Sequence, residues 1–211
     1  MMLVMLVFTI VTCFAGPPDP VSTGLAMAFA FTDLTFEDNP ENMGGFTCVA
    51  YLGFLPDIQT HPTRTANPTT DVEAIKLIGN YTMKALKNFI EVYVTPSTFD
   101  ATAENQGETD SHSFHPKGEF LYPGTSIQAL AFCRKINNAR GVLIGINPNT
   151  GERYNWGTKD LPVTFKPKIT FGKAPADRRG VTIEWECDSF APAWIYEGSI
   201  PLSSAAIPPI S

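Results

Sequence analysis

The stretch that decides the fold is Gly141-Val-Leu-Ile-Gly-Ile146, followed by Asn147-Pro-Asn-Thr-Gly151 and then Arg153-Tyr-Asn-Trp-Gly157. An apolar run of six residues is too short for a helix and is bounded by turn-forming residues. It reads as a buried strand entering a hairpin with a longer loop. The same grammar continues downstream. Pro162-Val-Thr-Phe-Lys-Pro-Lys-Ile-Thr-Phe171 predicts a strand, Asp177-Arg-Arg-Gly180 a turn, and Val181-Thr-Ile-Glu-Trp-Glu-Cys187 a second strand with strict alternation. That alternation assigns Val181, Ile183, Trp185 and Cys187 to the core and turns Thr182, Glu184 and Glu186 to the other face.

Working outward, the rest of the chain fits a mainly β protein, a β-sandwich or barrel with one flanking helix and long loops. Of 211 residues, 44% are hydrophobic and 17% charged, enough apolar material for a sizeable core. Eighteen prolines and sixteen glycines favour many turns and short strands. Phe29 to Phe36 and Phe46 to Leu55 read as strands, as does the end of Met83 to Tyr93; Asp71 to Tyr81 fits helix or strand. Residues 56 to 71, rich in Pro, Thr and Asn, read as an interaction loop. Residues 98 to 118, polar and acidic, read as a mobile loop. The helix is placed at Ser126 to Asn138. Thr125 or Ser126 caps it, Ile127, Leu130, Ala131 and Phe132 form an apolar stripe, and Arg134 and Lys135 sit where the dipole favours cations.

The first 26 residues stand apart. Met1 to Ala15 is apolar like the centre of a signal peptide, but no Lys or Arg precedes it, and the first basic residue is Arg64. The run is also short for a membrane span. Met27 offers a second start, so residues 1 to 26 are expected to be an N-terminal extension, signal-like or a mis-assigned start. Residues 27 to 211 are expected to form one β-sandwich domain. From Met27 onward three cysteines remain, Cys48, Cys133 and Cys187, an odd number without metal spacing, which suits small buried hydrophobes.

The formal charge of −6 is unevenly spread. Six acids lie between Glu91 and Glu119 against Lys117 alone, whereas ten bases lie between Arg134 and Arg179 against Glu152, Asp160 and Asp177. Such blocks are either solvated faces or complementary patches that dock copies of the chain. The assembly-interface candidates are therefore Glu104, Glu108, Asp110, Arg178, Arg179, Glu184 and Glu186. Catalytic motifs are missing: there is no G-x-S-x-G, no phosphate-cradling glycine loop and no paired cysteine motif. Glu104, Glu108, Asp110, His112 and His115 lie within twelve residues and include metal-ligand types, yet a Gly/Ser/Thr-rich loop does not preorganise ligands. No catalytic residue, metal or cofactor is expected. Trp156, Trp185 and Trp194 line a sugar site or belong to the core.

The order of helix 126–138, hairpin 141–156, strand 163–171 and the stretch Gly172-Lys-Ala-Pro-Ala-Asp-Arg-Arg-Gly-Val-Thr-Ile-Glu-Trp-Glu-Cys187 resembles structural proteins of tailed bacteriophages and prophages, in particular tail tube (major tail) subunits. The resemblance implies a non-enzymatic virion protein, assembled in the bacterial cytoplasm, whose β-sandwich and flanking helix build hexameric rings. Its partners would be further copies of itself and other tail proteins, with DNA as transient lumen cargo and no membrane. The apolar N-terminus departs from that pattern. If it is a true signal, the alternative is an exported or periplasmic bacterial β-sandwich binding or adhesion module that uses Trp185 and Trp194 for a ligand.

Overall fold

The computed structural model describes residues 43–174 and 176–203. The expected strand Phe29 to Phe36 and the N-terminal extension 1–26 lie outside them. Among the described residues thirteen strands occur: β1 (Val49–Phe54), β2 (Ile58–Thr60), β3 (Thr63–Arg64), β4 (Lys76–Ile78), β5 (Thr82–Met83), β6 (Ile90–Tyr93), β7 (Asp100–Gln106), β8 (Ser113–Pro123), β9 (Arg140–Ile146), β10 (Arg153–Trp156), β11 (Val163–Thr170), β12 (Gly180–Glu186) and β13 (Trp194–Tyr196). The helices are a single turn, α1 (Asp71–Ala74), and α2 (Ile127–Ile136). Neither is long and apolar enough to cross a membrane. The protein is mainly β, as its sequence predicts.

Eleven of these strands form two leaves that meet at β9, and β2 and β5 pair in a separate two-stranded sheet. In the first the order is β6-β1-β9-β10-β13-β4-β3, antiparallel throughout except for the β13–β4 pair. In the second the order is β11-β12-β8-β7, all antiparallel. The β9 end at Arg140 and Gly141 pairs with Thr164 and Val163 of β11 and joins the leaves, so the arrangement is an open sandwich and not a closed barrel. Alternation explains the core between them. Ala50, Leu52, Leu143 and Trp156 from the first leaf meet Phe120, Phe165, Ile183 and Trp185 from the second. Val142 and Ile144, on the opposite face of β9, join Tyr51, Trp194 and Tyr196 in a second core. This is why Gly141–Ile146 is apolar without interruption: the strand is covered on both faces.

α2 closes the first core at one side. Ser126 caps it, its Oγ accepting from Ala129 N at 3.2 Å, and Asn138 leaves it with φ +67°. Its buried face is Ala129, Cys133 and Ile136, with Phe132 packed beside them. The expected stripe through Ile127 is therefore corrected: Ile127 is 87% exposed, because at N1 it points away from both leaves.

The second correction concerns residues 98 to 118, which are not a loop. Asp100–Gln106 pairs residue by residue with Ser113–Glu119 in a hairpin, from Asp100 opposite Glu119 to Gln106 opposite Ser113. The strand β7 reads as polar because only Ala101 of it packs against the core, while Ala103 and Asn105 on the same face are exposed. As an edge strand it needs small residues there, not a hydrophobic run.

Candidate assembly surface

The second leaf buries one face and presents the other. The register puts Asp100, Glu119, Glu184 and Lys166 in one row across β7, β8, β12 and β11, and Thr102, Lys117, Glu186 and Thr164 in the next. Side chains in a row stand close together across strands, so the sign of each neighbour matters. Lys117 Nζ lies 2.8 Å from Glu104 Oε2, and Lys166 Nζ lies 2.6 Å from Glu186 Oε1. Two of the face's three lysines are thus held by carboxylates, with Lys168 at its margin. Asp100, Glu119 and Glu184 stand side by side with no ion pair among the described residues. The face carries five carboxylates against three lysines.

The two ends of this leaf differ in charge. Because Gln106 pairs with Ser113 while Gly180 pairs with Pro123, the β7–β8 turn and the β11–β12 turn project from opposite ends of β8. The eleven residues of β8 set those ends about 34 Å apart at 3.4 Å per residue. The first turn carries Glu108 and Asp110, and Ser111 N donates to Glu108 O at 3.0 Å to close it. Near it His115 Nδ1 lies 2.9 Å from Asp188 Oδ1, which also accepts from Gln106 Nε2 at 2.8 Å. These two bonds hold the Asp188 carboxyl below its usual pKa. The second turn carries Lys173, Arg178 and Arg179. Asp177 Oδ2 accepts from the backbone N–H groups of Lys173 and Ala174 at 2.7 and 2.8 Å, so this carboxylate organises the turn. Arg179 Nε donates to Thr125 Oγ1, and its backbone carbonyl accepts from Gly124 N at 3.1 Å, tying the turn to the start of α2. Exposed Ile127, Ile169 and Phe171 add apolar surface around it.

Each residue proposed from the sequence now has a place. Glu184, Glu186 and Glu104 lie on one face, Glu108 and Asp110 at one end, and Arg178 and Arg179 at the other. Sequence reading missed Asp100, Glu119, Lys117 and Lys166, since only the register shows that they stand beside Glu184 and Glu186. Among the described residues no group of three or more His, Cys, Asp or Glu fit to hold an ion occurs.

A groove of about 1250 Å³ lies on the other leaf, between residues 58–66, 157–161 and 188–194. The Arg64 guanidinium lies 5.1 Å from the Phe190 ring centre and 5.7 Å from that of Trp194. His61 lines the groove with its pKa lowered, first by burial and then by the Lys159 charge. The tryptophans form no exposed aromatic platform: Trp156, Trp185 and Trp194 are all buried. Comparison with family models, with curated proteins and with solved structures finds no match.

Proposed function

We propose that this chain is a non-enzymatic structural subunit that stacks head to tail into a tail tube, a conduit for DNA. The observation that carries the reading is the opposite charge at the two ends of one leaf. Glu108 and Asp110 of one copy meet Lys173, Arg178 and Arg179 of the next, and a heterologous contact of this kind extends into an open stack where its rotation does not close a ring. The face between the ends suits a lumen. Phosphate affinity grows with each free cation that reaches the backbone, and here Lys117 and Lys166 are held by Glu104 and Glu186. The carboxylates of Asp100, Glu119 and Glu184 then keep DNA mobile.

Charge exchange at the ends tests this. The variant Glu108→Lys/Asp110→Lys has two basic ends, and Arg178→Glu/Arg179→Glu has its second end reversed to acid. Negative-stain microscopy and sedimentation should show neither stacking alone and the equimolar mixture forming tubes. Parent-like stacking by either variant alone, or a mixture that stays unassembled, overturns the reading. The second reading, an exported binding or adhesion module, rests on the Arg64 groove. A glycan or peptide whose binding is lost in Arg64→Ala while no polymer forms under any salt condition would favour it.

A further inference from the structure

We infer that the groove between residues 58–66, 157–161 and 188–194 binds an acidic peptide in extended form, whose carboxylates pair with Arg64 and Lys159. This narrows the binding-module reading above to one ligand class, and it rests on that reading's groove, not on export or stacking. The walls are fixed before any ligand arrives. Ile58 and Thr60 pair with β5, and Thr63 and Arg64 pair with β4. Thr158 N donates to Leu161 O at 2.9 Å and Leu161 N donates to Thr158 Oγ1 at 3.2 Å, closing a tight turn that carries Lys159 and Asp160. Ser189 and Phe114 exchange backbone hydrogen bonds of 2.9 Å in both directions, which anchors the third wall to β8.

Arg64 is the anchor. The rings of exposed Phe190 and buried Trp194 hold its guanidinium by cation–π contact, and it makes no ion pair or side-chain hydrogen bond among the described residues. A planar fork held in this way keeps its N–H edge for a carboxylate and loses little freedom when one binds. Exposed Lys159 also has no ion pair among the described residues. His61 reports the field beside it. Its ring packs against Tyr81 at 5.8 Å, and its Nδ1 is buried with no hydrogen-bond partner among the described residues. Burial lowers its pKa first, and of the two nearby charges Lys159 lowers it more than Asp160 raises it, so the field at His61 is positive.

Size and layout favour a peptide. A groove of about 1250 Å³ exceeds the roughly 300–1,000 Å³ of small-molecule sites. The two cations stand on different walls, which suits carboxylates at separate positions along one chain. Gln59, Thr60, Thr63 and Thr158 bring side-chain donors and acceptors for its backbone. A nucleic acid strand fits less well. Asp160 has no ion pair among the described residues, and Asp188 stays ionised because His115 and Gln106 hold its pKa down. Closely spaced phosphates would meet like charge at both.

Fluorescence anisotropy on the full chain tests this with a labelled peptide of alternating glutamate and threonine, its glutamine counterpart and a single-stranded oligonucleotide. The glutamate peptide should bind about tenfold or more tightly than the glutamine one, and Arg64→Ala should remove a similar factor. Arg64→Lys should restore only part of it, because the fork is lost. Lys159→Ala should cost less than Arg64→Ala, since Asp160 already offsets that charge, and Asp160→Asn should tighten binding. In NMR titrations the His61 pKa should rise as the glutamate peptide saturates the groove, because a carboxylate paired with Lys159 cancels its charge. Far-UV circular dichroism equal to the parent's shows that each variant is folded. Equal affinity for the two peptides overturns the inference while leaving the binding-module reading a neutral ligand. Glutamate-peptide binding unchanged by Arg64→Ala, an unmoved His61 pKa, tighter binding of the oligonucleotide, or no peptide binding at all also overturns it; the binding-module reading then survives only through a glycan whose binding Arg64→Ala abolishes.

Discussion

Trp185→Ala is the perturbation that most directly questions the packing of the two leaves. Trp185 is 1% exposed, its ring centre lies 4.8 Å from that of Trp156 in the first leaf, and its position on β12 faces Gly118 of β8. Truncating a buried aromatic to alanine costs about 3–5 kcal/mol through lost burial and the cavity left behind. One feature acts against that loss. The indole Nε1 is buried with no hydrogen-bond partner among the described residues, and such a donor costs roughly 1–3 kcal/mol to keep. Removing it with the ring brings the expected net loss to the lower part of the range, about 3 kcal/mol. For a domain of this size that corresponds to a fall in Tm of about 6–12 °C. Trp185→Phe keeps a ring in the site and deletes only the unpartnered donor and part of the volume, so its cost should be about 1 kcal/mol or less. Thermal melts and urea titration followed by far-UV circular dichroism measure both, with the m-value held as a check that the unfolded state is unchanged. A Tm of the alanine variant within 2 °C of the parent, taking the size scaling above, refutes the packing. A phenylalanine variant as unstable as the alanine one refutes the claim about the indole N–H.

Gly118→Ala should disrupt the β7–β8 hairpin: a Cβ there would meet Asp100 O at 2.1 Å and Trp185 Cζ2 at 2.9 Å, and backbone does not yield cheaply. Faster limited proteolysis within 100–118 in the variant than in the parent checks it. Tyr81→Phe removes the hydroxyl that donates to Asn155 Oδ1 at 2.9 Å in the second core, and the stranded acceptor should cost about 1–3 kcal/mol in urea titration. Burial pushes the Cys187 thiol up to about 12, so at pH 8 it stays protonated in the folded chain. Alkylation by iodoacetamide, read by peptide mass mapping, should reach Cys187 only after denaturant is added. Because hydrogen bonds from His115 and Gln106 depress the Asp188 pKa, the stabilisation they give is present above the ordinary carboxylate pKa and is lost as pH falls through the lower folded value. His115→Ala should narrow that acid-side difference in a pH series of thermal melts.

The legible parts of the fold were those in which burial writes a period into the chain. Val181–Cys187 alternates, and its four inward residues are all buried; Gly141–Ile146 is apolar throughout because both of its faces are covered. The Ser126 cap and the cations at the end of α2 were equally readable, since capping is local chemistry. What sequence could not show depends on partners far along the chain. Asp100–Gln106 has no strand character of its own and is a strand because β8 lies beside it. Ile127 looked like part of an apolar stripe, but a ten-residue helix packed through Ala129, Cys133 and Ile136 leaves its first position outside. The charged face was half legible: Glu184 and Glu186 announced themselves by alternation, whereas the lysines that neutralise their neighbours are set by register alone.

Register is also what joins stability to the proposed assembly. A slip of one residue between β8 and β12 would turn Lys117 and Glu119 inward and Gly118 and Phe120 outward, since successive side chains point to opposite faces. Gly118 and Trp185, paired with each other, oppose that slip together. The indole fills the space that the missing Cβ leaves, and Phe120, fully buried, fills the next inward position opposite Ile183. The same interlock fixes how far β8 extends to either side, and so how far apart the Glu108/Asp110 and Arg178/Arg179 turns stand. A loosened core should therefore affect stacking before it affects folding. Trp185→Phe, which keeps the fold, should stack more weakly if the indole sets the register, and the loss should not be recovered by lowering the salt, because the charges themselves are intact. Stacking by Trp185→Phe at the parent's concentration and salt dependence would separate the core from the ends and leave the turns alone to determine assembly.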